Sequence, residues 1–257
     1  MIVASDISLR IGQRILLKDV SFTLQTGELV AVMGPNGVGK TTLLRTLAGA
    51  RPADTGTVFL GDANLAGLTI AQRARAVGYM ASEEVLAEMM TVRDVVAMGR
   101  YAYHRWWQWQ ENERDAAAID NALDAVRMDA FAARNFATLS SGERQRVWLA
   151  LGLAQEAPLL LLDEPTSHLD VGVAHDILHV LRSQVTAGKT AVCALHDLNE
   201  AAAFADRIML LGCGGVLAFD SPDRVLTPEL LERAYGLPME ILRSPSGALR
   251  VFPLSRV

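Results

Sequence analysis

The sequence contains only two cysteines in 257 residues and lacks any long apolar run. Cys193 lies in an apolar segment and Cys213 in a glycine-rich turn, so neither a disulfide framework nor the ligand spacing of a metal site is present. This use of cysteine is typical of a reducing, cytoplasmic compartment. Apolar runs such as 159–162 are far shorter than the roughly 20 residues that a membrane helix needs. We therefore expect a subunit that does not itself cross a bilayer.

The sequence also lacks an excess of positive charge. It has 24 Lys and Arg against 29 Asp and Glu, which gives a formal net charge of -5. Binding to a nucleic-acid duplex normally needs a basic face, so we expect no nucleic-acid partner. With 51% hydrophobic and 21% charged residues, the composition suits one compact α/β domain that covers 1–257.

Strand patterns occur in two parts of the chain. Short alternating apolar stretches broken by Gly12 and Gly27 predict an N-terminal antiparallel β layer. Continuous apolar strands at 29–33, 159–162 and 190–195, separated by helical patterns, predict a parallel core sheet. A hairpin is predicted over 208–219, and Pro222 and Pro228 predict the starts of two short helices.

Between these parts, from about 85 to 134, the strand signals vanish and the residues follow helical spacing. We interpret this composition change as a helical subdomain of approximately 85–150, inserted into a core that consists of 1–84 and 151–257. The sequence thus predicts an α/β fold with a parallel sheet, an antiparallel layer and an inserted helical subdomain.

A glycine-rich loop follows the first of the continuous apolar strands. Residues 34–41 fit G-x-x-x-x-G-K-[ST] and lie between a strand and a helix, a context that disfavours an ordinary helix-capping turn. The N–H groups of such a loop bind phosphates. Lys40 is expected to neutralise the β- and γ-phosphate oxygens, and the Thr41 hydroxyl to bind Mg²⁺. The predicted ATP-binding residues of this loop are Gly34, Pro35, Asn36, Gly37, Val38, Gly39, Lys40, Thr41 and Thr42.

Two acidic residues follow the apolar strand 159–162. The carboxyl ends of parallel strands border the ligand crevice of such a sheet. Asp163 is therefore expected to hold Mg²⁺, and Glu164 to polarise the attacking water. The alternative, a solvated Asp-Glu-Pro turn, is disfavoured by the phosphate loop in the same chain.

A third motif, Leu-Ser-Ser-Gly-Glu-Arg-Gln at 139–145, precedes a helical pattern. Ser140 and Glu143 have the spacing of a capping box, and a capped helix start with a serine also makes an anion site. Here the chain resembles the ABC transporter ATPases, whose signature usually reads Leu-Ser-Gly-Gly-Gln or Leu-Ser-Gly-Gly-Glu. Ser141 replaces the first glycine. The resemblance also includes the phosphate loop, Asp163-Glu164, the loop 167–170 and His196, and it covers nearly the whole chain.

The resemblance implies a P-loop NTPase fold of the ABC ATPase type, with ATP as substrate and Mg²⁺ as cofactor. It further implies a head-to-tail homodimer that binds two ATP molecules between its subunits. Asp170 would couple the two sites, and His196 would contact the γ-phosphate as a catalytic group beside Glu164 and Lys40. The signature residues that would act on the ATP of the opposite subunit are Ser140, Ser141, Gly142 and Glu143.

Two positions depart from the pattern of the family. Ser82 stands where relatives usually carry a Gln that contacts Mg²⁺, so Ser82 is the predicted metal ligand beside Thr41 and Asp163. Glu83 is the alternative ligand. Ile11 stands where many relatives stack an aromatic side chain on adenine, so the base is expected to rest on an aliphatic surface.

Segments of the chain resemble one branch of the family, the ATPases of importers for iron-siderophores, haem and cobalamin. Residues 90–100, 225–228 and 234–239 carry this resemblance. His104 and the Pro238-Met239 pair favour a metal chelate of the iron-siderophore class, with haem and cobalamin as alternatives. The resemblance implies a polytopic permease, a periplasmic or lipoprotein substrate-binding protein reached through it, and a peripheral position on the cytoplasmic face of the inner membrane.

Three tryptophans, Trp106, Trp107 and Trp109, allow two interpretations. They fill the small core of the helical subdomain, which we favour, or they line a groove for a permease helix. A soluble ABC ATPase that acts on DNA or ribosomes is the alternative of another class. Such proteins carry long coiled coils or tandem ATPase copies, and often a basic face, and none of these features appears in the sequence. A kinase is a third class, and it would not need Glu164 as a water activator.

Overall fold

The computed structural model describes residues 1–81, 89–104, 111–245 and 247–254. The strands in these ranges are β1 (Ile2–Ile11), β2 (Arg14–Leu24), β3 (Leu29–Met33), β4 (Thr55–Leu60), β5 (Ala63–Asn64), β6 (Val77–Met80), β7 (Leu159–Asp163), β8 (Thr190–Ala194), β9 (Arg207–Gly212), β10 (Gly215–Asp220), β11 (Met239–Arg243) and β12 (Leu249–Pro253). The α-helices are α1 (Lys40–Leu47), α2 (Ile70–Ala76), α3 (Val92–Ala97), α4 (Glu113–Ala125), α5 (Ser141–Ala154), α6 (Val171–Thr186), α7 (Leu198–Phe204), α8 (Pro222–Val225) and α9 (Pro228–Tyr235). No helix in the described ranges is long and apolar enough to span a membrane.

The central sheet has the strand order β10-β9-β3-β8-β7-β6. Strands β9 to β6 are parallel to their neighbours, while β10 pairs with β9 as an antiparallel hairpin. Every residue of β3, β7 and β8 is buried, as expected for apolar strands covered on both faces. The predicted parallel sheet and the predicted hairpin are confirmed. Because Ala194 pairs with both Val32 and Asp163, the carboxyl ends of these three strands lie side by side.

The N-terminal layer is an antiparallel sheet of order β2-β1-β4-β5, which confirms the predicted β layer. The two-residue turn Gly12-Gln13 joins the directly paired residues Ile11 and Arg14. Strands β4 and β5 were not predicted, because Gly56 interrupts the strand pattern. This glycine has φ +82°, and a Cβ on it would stand 2.4 Å from the carbonyl oxygen of Ser5. The close pairing of β4 with β1 therefore requires glycine at this position.

The described residues between β6 and β7 form α3, α4, α5 and short 3₁₀ helices, and no strand is present in this described part. Residues of α3 and α4, such as Val95 and Ile119, belong to the same hydrophobic cluster as Leu29 of β3. The helical segment thus extends the core on one side of the sheet. A separate subdomain of 85–150 stays a prediction, and α5 itself continues to Ala154. Trp106, Trp107 and Trp109 lie outside the described residues.

At the C-terminus, α8 and α9 begin at Pro222 and Pro228, as predicted. The hairpin of β11 and β12 was not predicted. Its anchor is the side chain of Asn199 on α7, which donates to the carbonyl oxygen of Val251 at 3.3 Å and accepts from its N–H at 2.9 Å. This contact joins residues far apart in the sequence, so local patterns do not reveal it.

A buried ion pair holds the helical segment together. The side chains of Arg100 and Asp115 are 3% and 2% exposed, and Arg100 Nε lies 2.9 Å from Asp115 Oδ1. His104 Nε2 lies 2.8 Å from the other oxygen of Asp115. Burial alone would raise the pKa of the Asp115 carboxyl, but the hydrogen bonds from Arg100 and from the Asn112 N–H outweigh burial and lower it.

Replacing Asp115 by Ala is expected to lower the free energy of unfolding by about 2 kcal/mol, because the buried Nε of Arg100 would lose its partner while Nη1 keeps Glu156 and the Ala154 carbonyl oxygen. The matched control is Asp120→Ala. Asp120 pairs with Arg93 on the surface, where its side chain is 64% exposed, and we expect a loss below about 1 kcal/mol. Urea unfolding at pH 7 measures both values, and equal losses would contradict the prediction.

Because the pKa of Asp115 is lowered on folding, the loss of unfolding free energy in Asp115→Ala should shrink as the pH falls through and below about 4.

Candidate nucleotide site

The loop 34–41 leaves β3 at the carboxyl edge of the sheet and leads directly into α1. Gly34 and Gly39 have φ values of +144° and +116°, which few side chains tolerate. A Cβ on Gly34 would stand 2.7 Å from the carbonyl oxygen of Leu211, so the close approach of the loop to β9 requires glycine. The sequence thus forms a tight loop that points its backbone toward the edge of the sheet.

Lys40, the first residue of α1, lies inside this loop. Its side chain is buried, and its Nζ donates a hydrogen bond of 2.8 Å to the carbonyl oxygen of Gly34. Burial lowers the pKa of Lys40, while the nearby carboxyls of Glu164 and Asp163 act in the opposite direction. A poorly hydrated ammonium group at this point is suited to pair with phosphate oxygens.

Asp163 at the end of β7 faces the hydroxyl group that follows Lys40. Thr41 Oγ1 donates to Asp163 Oδ1 at 3.0 Å. Asp163 is fully buried, and its Oδ2 has no hydrogen-bond partner in the described part of the chain. Burial raises the pKa of this carboxyl, with the Thr41 hydrogen bond opposing the shift.

An unsatisfied carboxylate oxygen beside a hydroxyl group is a hard-oxygen donor set of the kind that Mg²⁺ prefers. Thr41 and Asp163 therefore fit the predicted metal ion. When bound, the ion would supply positive charge at the phosphates. Ser82, the third predicted ligand, and its alternative Glu83 lie outside the described residues.

Glu164 and His196 meet at the same edge of the sheet. His196 Nε2 lies 2.7 Å from Glu164 Oε1, and Ser167 Oγ donates to Glu164 Oε2 at 3.2 Å. Burial alone would raise the pKa of Glu164, but the hydrogen bond and charge of His196, then Ser167 and Lys40, hold it below its usual value. The carboxylate is therefore ionised at neutral pH and positioned by two partners, as a base for a water molecule requires.

Lys40, Thr41, Glu164 and His196 border one cleft of about 950 Å³, and the buried Asp163 lies behind Thr41. The tip of the β1–β2 hairpin forms its other wall, where Ile11 is 56% exposed, and contact of the base with Ile11 stays a prediction. The cleft is large enough for a small-molecule ligand with several phosphates. Its lining includes loop residues, Glu164 and His196, and also residues that the sequence analysis did not select, among them Arg14, Arg45, Thr166 and Glu200.

Arg45 and Thr166 differ in whether the sequence could have placed them in the cleft. Arg45 follows Thr41 by four positions on α1, so helical spacing alone places both on one face. Thr166 Oγ1, in contrast, donates to Glu200 Oε2 at 2.9 Å across 34 positions of sequence. That pair depends on how α7 packs, and no local motif predicts it.

The signature forms the start of α5. Ser140 Oγ accepts from the Glu143 N–H at 3.3 Å, and Glu143 Oε2 accepts from the Ser140 N–H at 2.7 Å, which confirms the predicted capping box. A Cβ on Gly142 would stand 3.3 Å from Val173, so the start of α5 lies against the start of α6, which Asp170 caps. Among the described residues that line the cleft, none belongs to 140–143. The phosphate loop and the signature of one chain therefore do not share a cleft.

Replacing Ile11 by Tyr is expected to lower the Kd for ATP by about threefold to tenfold, because an aromatic ring stacks on the base where the aliphatic side chain only contacts it. Isothermal titration calorimetry checks this value. Ile15→Tyr is the control, since Ile15 is similarly exposed at 43% but does not line the cleft. An Ile11→Tyr chain with unchanged affinity would contradict a position of the base at the hairpin tip.

Comparison with known proteins agrees with this geometry. The hemin import ATP-binding protein HmuV of Rhodococcus jostii is 41% identical over 251 residues, which cover 97% of this chain and 85% of that protein. The ferric enterobactin transport ATP-binding protein FepC of Escherichia coli is 34% identical over 253 residues, 97% of this chain and 93% of FepC. The cobalamin import ATP-binding protein BtuD of Halobacterium salinarum is 38% identical over 245 residues, 95% of this chain and 61% of BtuD.

Solved structures give the same result. An inward-facing ABC transporter assigned to the metal-chelate type has a TM-score of 0.87 at 26% identity, over 99% of this chain and 98% of that one. A dimeric, post-hydrolysis structure of the ATP-binding cassette MJ0796 with ADP and Pi has a TM-score of 0.76 at 26% identity, over 86% and 99% of the two chains. Residues 17–167 match the family model described as ABC transporter. The chain therefore belongs to the ABC transporter family, as an ATP-binding subunit that hydrolyses ATP.

Proposed function

We propose that this chain is the ATPase subunit of an importer for ligands of the haem, siderophore or cobalamin type. One observation carries the proposal: phosphate-loop residues, Glu164 and His196 line one cleft of a chain that is 41% identical, over 97% of its length, to a hemin import ATP-binding protein. The first part supports ATP hydrolysis and the second supports import as the process that hydrolysis drives.

Within the cleft, each residue has a defined task. Lys40 and the loop N–H groups bind the β- and γ-phosphates, and Thr41 with Asp163 would hold Mg²⁺. Glu164 accepts the proton of the attacking water. His196 keeps the Glu164 carboxylate in place through the 2.7 Å contact of its Nε2 with Glu164 Oε1, and it is proposed to contact the γ-phosphate as well. The buried Lys40 ammonium stabilises the negative charge of the phosphates, and a bound Mg²⁺ would add further positive charge.

The proposed active site is completed by a second copy of the chain. Ser140, Ser141, Gly142 and Glu143 start a helix whose exposed N-terminal end suits a phosphate group, but they do not line the cleft of their own chain. In a head-to-tail homodimer they face the ATP held by the other subunit. Asp170 is exposed next to this helix start and is the proposed coupling residue between the two sites.

The proposed partners follow from what the ATPase must drive. Similarity to an inward-facing ABC transporter supports a polytopic permease that holds this subunit at the cytoplasmic face of the inner membrane. A periplasmic or lipoprotein substrate-binding protein is proposed to deliver the ligand to that permease. The names of the relatives, which describe import, support this direction of transport.

Among the ligands, an iron chelate is proposed. His104 and Pro238-Met239 favour an iron-siderophore, whereas the identity of 41% to the hemin protein against 34% to the enterobactin protein supports haem. Both ligands present chelated iron. Cobalamin, a cobalt chelate, is the alternative.

Reconstitution in liposomes tests the proposal. The chain is combined with the permease and the binding protein encoded beside it, and uptake of haem, a ferric siderophore and cobalamin is measured with and without ATP. We expect ATP-dependent uptake of one iron chelate, and loss of that uptake when Glu164 is replaced by Gln. ATP hydrolysis without uptake of any of the three ligands would contradict the proposed import function but not the ATPase activity.

A further inference from the structure

The tip of the β1–β2 hairpin presents two side chains to the nucleotide cleft. Ile11 and Arg14 are directly paired across the two strands. Directly opposite residues of an antiparallel pair project from the same face of the sheet. Both residues line the cleft, and so the hairpin offers it one aliphatic side chain and one cation side by side.

The guanidinium of Arg14 lies against the phosphate loop. Its Nη1 is 4.0 Å from the position that a Cβ on Gly37 would take, in the middle of the loop. In the described part of the chain, no hydrogen bond or ion pair engages the Arg14 side chain. Lys40 is different, because its ammonium already donates to the carbonyl oxygens of Gly34 and Pro35. Arg14 is thus a second cation at the loop, with its donors still available.

We propose that Arg14 binds the nucleotide, with its guanidinium paired to the phosphate chain of ATP beside Gly37. The proposal rests on the phosphate loop holding the phosphates, as proposed above. A guanidinium matches phosphate oxygens with two parallel hydrogen bonds, which are stronger than bonds between neutral groups. The neighbouring Ile11 cannot stack on the base as an aromatic residue does. Arg14 supplies affinity through charge at a hairpin that lacks the aromatic contact.

Binding titrations with the full chain test this assignment. The ligands are ATP, CTP, AMP and inorganic tripolyphosphate, and the variants are Arg14→Gln and Arg14→Lys. The matched control is Arg10→Gln, which removes an exposed cation four positions earlier on β1, outside the cleft lining. Lys40→Ala serves as the reference for loss of the phosphate loop.

Arg14→Gln is expected to raise the Kd for ATP, CTP and tripolyphosphate by about tenfold, with a smaller rise for AMP. Arg14→Lys should raise it by about threefold, since an ammonium keeps the charge without the planar fork. Arg10→Gln should leave all four affinities unchanged. This pattern follows from pairing with phosphates, because tripolyphosphate has no base.

Three results would overturn the assignment: unchanged affinity in Arg14→Gln, an equal loss in Arg10→Gln, or a loss for ATP without a loss for tripolyphosphate. The last result would place the guanidinium on the base. The Lys40→Ala variant tests the underlying phosphate-loop proposal separately. If the loop did not hold the phosphates, this variant would bind ATP as tightly as the unmodified chain.

Discussion

Replacing Glu164 by Gln is expected to lower kcat for ATP hydrolysis by about 10²- to 10⁴-fold while ATP binding is retained. Glutamine has nearly the same shape and can still accept the hydrogen bond from His196, but it cannot accept a proton from water. The pKa of Glu164 is held below its usual value, so the carboxylate is ionised and active throughout the neutral pH range. Steady-state ATPase assays and ATP titrations measure the two quantities separately.

Glu200→Gln is the matched control for this prediction. Glu200 lines the same cleft, but its carboxylate accepts from Thr166 and not from His196. We expect the kcat of Glu200→Gln to remain within about threefold of that of the unmodified chain, because the Glu200 carboxylate does not take part in proton transfer. Equal losses in the two variants would show that the cleft needs negative charge in general, and would remove the specific role assigned to Glu164.

Replacing Ser140 by Asp is expected to lower ATP hydrolysis by about 10²-fold without destabilising the chain. Asp caps a helix as well as Ser does, so the start of α5 is preserved. Its carboxylate, however, would face the phosphates held by the opposite subunit and repel them. ATPase assays and urea unfolding of the same preparation check activity and stability together.

Ser140→Asn separates charge from shape at this position. Asn is also a good cap and is neutral, so we expect a smaller loss, about tenfold, from the changed contact with phosphate. If Asp and Asn both hydrolysed ATP at the unmodified rate, the helix start at Ser140 would not act on phosphate at all.

The sequence predicts those parts of the site whose chemistry is encoded in consecutive residues. The phosphate loop is recognisable because glycines, Lys40 and Thr41 must follow a buried strand at fixed spacing. Asp163 and Glu164 are recognisable because an apolar strand ends in two carboxylates. In the structure these separate local patterns meet at one edge of the sheet.

Other parts depend on packing that no local pattern contains. The bond from Thr166 to Glu200 and the anchoring of β12 by Asn199 both require α7 to pack in a particular place. Arg14 carries no motif of its own, and it gains its position only because the hairpin tip lies over the loop. The buried partner of Arg100 likewise follows from the packing of α4, since Asp115 reads as an ordinary helix-start carboxylate in the sequence.

We propose that each active site is built from two copies of this chain. The most direct test mixes two inactive variants, Lys40→Ala and Ser140→Asp, and measures ATP hydrolysis of the mixture. In a mixed dimer one site carries both defects, while the other combines an intact phosphate loop with an intact signature. We expect the mixture to hydrolyse ATP well above the rate of either variant alone. A rate equal to the average of the two separate variants would contradict the proposal.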